Sequence, residues 1–90
     1  MTIQDQLALA SAYVQFAQEK GLQRVCWPAE SPIGVWNLGM GIVNQSGHMG
    51  YPIHGSYDRG RRKTHGAKKR FEGYPPIPGK TLYVSEGALL

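Results

Sequence analysis

The longest regular pattern in the chain is helical and covers residues 2–20. Apolar side chains recur there at steps of three and four residues, which is the repeat of a helix surface. They form two adjacent stripes, one of Ile3, Leu7, Ala10, Val14 and Ala17, the other of Leu9, Tyr13 and Phe16. Thr2 and Asp5 have the spacing of an N-terminal capping box, and Gly21 is a natural helix terminator. We therefore predict one N-terminal amphipathic helix.

The two stripes together cover about half of the helix circumference, which is more than a helix lying on a sheet usually buries. One interpretation, which we favour, is that the whole arc packs deeply against the protein's own sheet. The alternative is that the side formed by Leu9, Tyr13 and Phe16 meets a partner protein or a second copy of the chain in a homodimer.

The pattern after Gly21 is typical of strands. Residues 22–27 end at a proline, residues 33–43 alternate in polarity, residues 51–57 have weak strand character, and residues 81–85 form a last candidate. In residues 33–43 the large side chains of Trp36, Leu38, Met40 and Ile42 share one face. We predict a single α+β domain, residues 1–90, in which the helix packs on a small antiparallel sheet drawn from a strand-rich body, 22–58 and 71–90.

Positive charge is concentrated in one stretch, residues 59–70, here named the basic segment. It holds seven of the ten lysines and arginines and no acid, whereas the rest of the chain has three basic residues and six acids, a balance of −3. The flanking stretches are predicted to pair, which makes the basic segment a loop or a hairpin arm. A local cluster of this kind indicates a binding surface.

Dense cationic side chains neutralise phosphates, and exposed aromatic rings stack on bases. We therefore predict a small non-catalytic nucleic-acid-binding protein, for DNA or RNA and with little sequence specificity. The predicted binding residues are Arg59, Arg61, Arg62, Lys63, His65, Lys68, Lys69 and Arg70, with the flanking aromatics Tyr57, Phe71 and Tyr74. Tyr51 also flanks the basic segment and is a further candidate for stacking.

Two other interpretations of the basic segment stay open. The segment either contacts an acidic protein partner or is merely a solvated loop, although seven like charges in twelve residues repel one another and are normally compensated by a partner. The rival functional class is a phage or mobile-element accessory protein that binds and inhibits a host nucleic-acid-handling machine through protein–protein contacts. The chain contains no sequence motif of the common nucleic-acid-binding modules that would decide between the two classes.

The sequence favours no enzymatic class, metal or cofactor. The only cysteine, Cys26, lies between Val25 and Trp27, where a thiol is usually inert core, and His48, His54 and His65 lack metal-ligand spacing. No stretch reaches the ~18 consecutive apolar residues of a membrane span, and a single cysteine excludes an internal disulfide. These features predict a cytoplasmic protein without membrane contact.

Overall fold

The structure is a computed structural model that describes residues 2–60 and 70–86. Within these residues the chain forms two helices and four strands. In chain order the elements are α1 (Ile3–Lys20), β1 (Arg24–Pro28), α2 (Ile33–His48), β2 (His54–Asp58), β3 (Phe71–Gly73) and β4 (Thr81–Tyr83). The described part is therefore a small α+β fold, which confirms the predicted fold class.

The four strands form one mixed sheet in the order β3-β2-β1-β4. β1 pairs in parallel with both β2 and β4, and β2 pairs antiparallel with β3. The prediction of an antiparallel sheet is thus wrong for both pairs that contain β1. The residues of β1 between Arg24 and Pro28 are all buried, as is typical of a strand in the middle of a parallel arrangement.

Residues 33–43, which the sequence analysis predicted as a strand, belong to helix α2. Its buried residues follow the helix repeat and are Val35, Leu38, Gly39, Ile42 and Ser46. Apolar side chains are so dense in this stretch that they satisfy a repeat of two as well as a repeat of 3.6. The parallel pairing of β1 with β2 requires a crossover that returns the chain to the same end of the sheet, and α2 provides it.

Helix α1 has the predicted bounds and ends. Thr2 and Asp5 exchange both hydrogen bonds of a capping box, at 3.1 Å each, and Gly21 takes the left-handed conformation with φ 69°. Its buried residues Ala10, Val14 and Ala17 face mainly helix α2 rather than a strand. The predicted packing of a lone helix on the sheet is therefore replaced by a helix pair.

The core lies between this helix pair and one face of the sheet. Val25 and Trp27 of β1 join it together with Val14, Ile42 and Val84. Because successive strand residues point to opposite faces, their neighbours along each strand lie on the other face, turned away from the helices. We call it the outer face. The registers place on it Arg24, Cys26, His54, Ser56, Asp58, Thr81 and Tyr83.

Candidate nucleic-acid interface

The basic segment is bracketed by an antiparallel hairpin. Asp58 at the end of β2 pairs with Phe71 at the start of β3, and the Arg59 N–H donates a hydrogen bond of 2.7 Å to the Arg70 carbonyl. The flanking stretches therefore pair as the sequence predicts. Six of the predicted binding residues lie outside the described residues: Arg61, Arg62, Lys63, His65, Lys68 and Lys69. The hairpin arm itself accordingly stays a prediction.

Both arginines at the ends of the basic segment form ion pairs with flanking acids. Arg70 binds Asp58 with two hydrogen bonds, from Nε at 3.0 Å and from Nη2 at 3.1 Å. Arg59 Nη1 lies 3.1 Å from Glu72 Oε1. These pairs close the base of the hairpin. Residues 58–72 contain seven cations and two acids, which gives a formal charge of +5.

The Asp58 carboxylate accepts hydrogen bonds from both the Arg70 guanidinium and the Gly60 amide. The Arg70 guanidinium holds its pKa below the ordinary value of an aspartate, and the Gly60 amide, which donates to Oδ1 at 2.8 Å, acts in the same direction. A lowered pKa in the folded state means that the folded protein keeps this carboxylate charged at a pH where the unfolded chain is already protonated. The resulting stabilisation is present above about pH 4 and is lost as the pH falls through the lowered pKa.

We therefore expect Asp58→Asn to lower the Tm at pH 7 by about 2–5 °C, a small effect because the pair is partly exposed. The difference from wild type should shrink as the pH falls from 5 to 2, since the wild type loses the charged form over that range. Thermal denaturation followed by circular dichroism measures both. Glu30→Gln, at an exposed position in the β1–α2 turn, is the control. A Tm difference for Asp58→Asn that stays constant with pH would contradict the ion-pair explanation.

The aromatic side chains predicted to stack on bases differ in how far they are exposed to solvent. Tyr57 packs against Trp36 of α2 with ring centroids 4.9 Å apart, and the Tyr51 hydroxyl donates to the Leu22 carbonyl at 2.8 Å. Both rings are thus partly buried on the helix side of the fold. Phe71 is half-buried with the Arg70 guanidinium 5.1 Å from its ring centroid. Tyr74, by contrast, is 53% exposed.

Tyr74 belongs to a cluster that the sequence analysis missed. Its ring stacks on His54 with centroids 4.4 Å apart, and the Arg24 guanidinium lies 5.1 Å from the Tyr74 ring centroid. Arg24 and His54 are register partners on β1 and β2. The chain after β3 therefore passes the starts of β2 and β1 before it reaches β4, a path that no short-range sequence pattern reveals.

The outer face also carries an exposed tyrosine and a buried thiol. Tyr83 of β4 is 62% exposed and pairs with Cys26 of β1. Burial raises the pKa of the Cys26 thiol, and the neighbouring Ser56 hydroxyl lowers it by less. Cys26 is therefore a protonated, packed side chain at neutral pH, in line with its interpretation as inert core.

The predicted partner interface lies on the helix pair. A groove of about 350 Å³ runs between α1 and α2 and is lined by Leu9 and Tyr13, together with the more exposed Ile3 and Leu7. Phe16 is 45% exposed, and its ring centroid lies 6.0 Å from Lys20 Nζ, but it does not line the groove. Self-association through these residues stays a prediction.

In the described residues no three histidine, cysteine, aspartate or glutamate side chains lie close enough together to hold a metal ion. Neither described helix has the length and hydrophobicity needed to cross a bilayer. The chain matches no protein-family model, and no curated protein or solved structure is significantly similar to it. The fold and site thus define a small α+β domain with a charged hairpin base.

Proposed function

We propose that this protein is a non-catalytic nucleic-acid-binding protein that contacts phosphates through the basic segment. The observation that carries the proposal is the base of the hairpin. Asp58 and Glu72 are the acids nearest to the segment in sequence, and each already binds one of its terminal arginines. Even when both flanking acids are counted, residues 58–72 carry a formal charge of +5, and such a dense local charge suits a polyanion.

The position of the hairpin base in the sheet also supports the proposal. β2 and β3 lie at one side of the sheet, with β3 as the edge strand, so the segment between them begins and ends at the rim of the fold. A binding segment that is anchored at both ends by paired strands can contact a long ligand with little rearrangement of the core. This supports contact with a phosphate backbone of either DNA or RNA.

The proposal predicts a steep dependence of affinity on salt. If all five cations of residues 61–69 contact phosphates, the slope of log K against log salt for a single strand should be about −3.5, since each contact contributes about −0.7. Fluorescence anisotropy with labelled 15-nucleotide strands between 50 and 300 mM salt measures the slope. A folded protein that retains no DNA or RNA at 50 mM salt would overturn the proposal.

A second candidate function is inhibition of a host nucleic-acid-handling machine through protein–protein contacts, as in accessory proteins of phages and mobile elements. The apolar groove between α1 and α2 favours it, because exposed apolar surface of this kind commonly marks a protein contact. A pull-down from nuclease-treated lysate separates the two functions. A partner that survives nuclease and competes with oligonucleotide supports inhibition, whereas loss of all partners together with oligonucleotide binding supports the first function.

A further inference from the structure

We infer that the outer face of the sheet is a stacking platform for the bases of a single-stranded nucleic acid, with Tyr74 and Tyr83 as the two rings. This inference rests on the proposed function and adds its substrate class. The basic segment would hold the phosphates, and the outer face would distinguish a single strand from a duplex.

The Tyr74 ring is held by neighbouring side chains and is still partly exposed. The ring is in contact with His54 at 4.4 Å between centroids and with the Arg24 guanidinium at 5.1 Å, while about half of the residue stays exposed. An exposed ring that is held by two side chains of the sheet loses little conformational entropy when a base stacks on it. Tyr74 is therefore a pre-organised stacking site.

Tyr83 and Tyr74 lie next to different residues of β1. Arg24, which contacts Tyr74, and Cys26, which pairs with Tyr83, are two residues apart on β1. The β1 residues next to the two tyrosines are therefore separated by roughly 6.6 Å along the strand direction. The centre of the outer face is covered, since Cys26 and Ser56 are each 2% exposed, so the surface offered to bases is that of the two exposed rings. In sheet-based RNA-binding modules, aromatic side chains on one face of the sheet stack two or three successive bases.

Arg24 brings a positive charge to the outer face. The Nε and Nη1 atoms of Arg24 are buried and have no hydrogen-bond partner among the described residues. Buried guanidinium donors without acceptors are costly, and an incoming phosphate or base edge would supply acceptors after a small side-chain movement. At the other end of the same face, Arg70 and Asp58 mark the entrance to the basic segment. The Arg70–Asp58 ion pair is formally neutral, so the positive charge that this face itself offers to a polyanion is that of Arg24.

The occupant follows from the combination of rings and cations. The faces of bases are accessible in a single strand and are covered by neighbouring base pairs in a duplex. Exposed rings would contribute nothing to duplex binding, whereas the basic segment contributes to both.

The test compares Tyr74→Ala, Tyr83→Ala and the matched variants Tyr74→Phe and Tyr83→Phe. Anisotropy titrations use labelled dT15, rU15 and a 15-base-pair DNA duplex at 50 mM salt. Each alanine variant should bind the single strands about 5- to 100-fold more weakly, and the phenylalanine variants should stay within about 2-fold of wild type. Duplex affinity should not change. Met40→Ala, which removes a half-exposed side chain from α2, is the control for exposed apolar truncation.

A second measurement does not depend on variants. Addition of dT15 to wild type should shift the ring proton resonances of Tyr74 and Tyr83 upfield, because a stacked base lies above each ring. The platform would be overturned if the wild type binds oligonucleotides, the alanine variants bind them equally well and the ring resonances do not move. The proposed function would then still stand. Wild type that binds no oligonucleotide would overturn both.

Discussion

Reversal of four charges in the basic segment is expected to weaken binding of single-stranded and duplex nucleic acid by at least about 1,000-fold. The reason is that each cation lost removes a charge-assisted phosphate contact and each glutamate gained repels the backbone. The substitutions are Arg61→Glu, Arg62→Glu, Lys68→Glu and Lys69→Glu, which change the charge of residues 61–69 from +5 to −3, since four positive charges become four negative ones. Anisotropy at 50 mM salt is the measurement.

The matched control exchanges the same four cations for each other, Arg→Lys at 61 and 62 and Lys→Arg at 68 and 69. Because this variant keeps the charge, its affinity should stay within about 5-fold of wild type. Thermal denaturation should show all three proteins to be equally stable within about 3 °C, because the ion pairs of Arg59 and Arg70 at the hairpin base are retained. A charge-reversed protein that is folded and binds like wild type would show that the basic segment is not the phosphate contact.

The second large effect is expected in the core, where Gly39→Ala should reduce the free energy of unfolding by about 2–4 kcal/mol. Gly39 of α2 lies directly on the indole ring of Trp27, and an added Cβ would meet three ring atoms at 2.4–2.7 Å. Trp27 is 3% exposed and has the Trp36 ring 5.4 Å away, so it has little room to move. The clash therefore outweighs the gain of about 1 kcal/mol in helix propensity.

Gly41→Ala, two residues further along the same helix, is the matched control. There an added Cβ would lie 3.7 Å from the Ala10 Cβ, which is an ordinary van der Waals contact. Only the propensity term remains, and the substitution should leave stability unchanged or raise it by up to about 1 kcal/mol. Urea denaturation of both variants is the measurement. Equal destabilisation by Gly39→Ala and Gly41→Ala would contradict the close packing of α2 on Trp27.

The helix at residues 3–20 could be predicted because everything that specifies it is local. Its capping box, its apolar stripes and the terminating Gly21 lie within the helix or next to it in sequence. The concentration of charge at residues 59–70 is likewise a property of the sequence alone. Pairing of the flanking strands was predictable too, because the two partners are joined through one segment.

Helix α2 could not be predicted in the same way. Residues 33–43 contain Gly34, Gly39 and Gly41, which weaken a helix, and large apolar side chains at alternate positions, which favour a strand. The gain that overrides these preferences is tertiary. Gly39 admits the Trp27 ring, and the helix connects the parallel strands β1 and β2.

Some features of the candidate site could likewise be predicted from the sequence, and others depend on the tertiary structure. The sequence by itself determined α1, the α+β class and the location of the basic segment, because neighbouring residues specify each of them. Tertiary structure decided that Tyr57 packs on Trp36, that Tyr74 lies on Arg24 and His54, and that Tyr83 shares a face with them. These contacts and pairings join residues up to 57 positions apart, from Cys26 to Tyr83, and the pairing of β1 with strands on both sides brings them together.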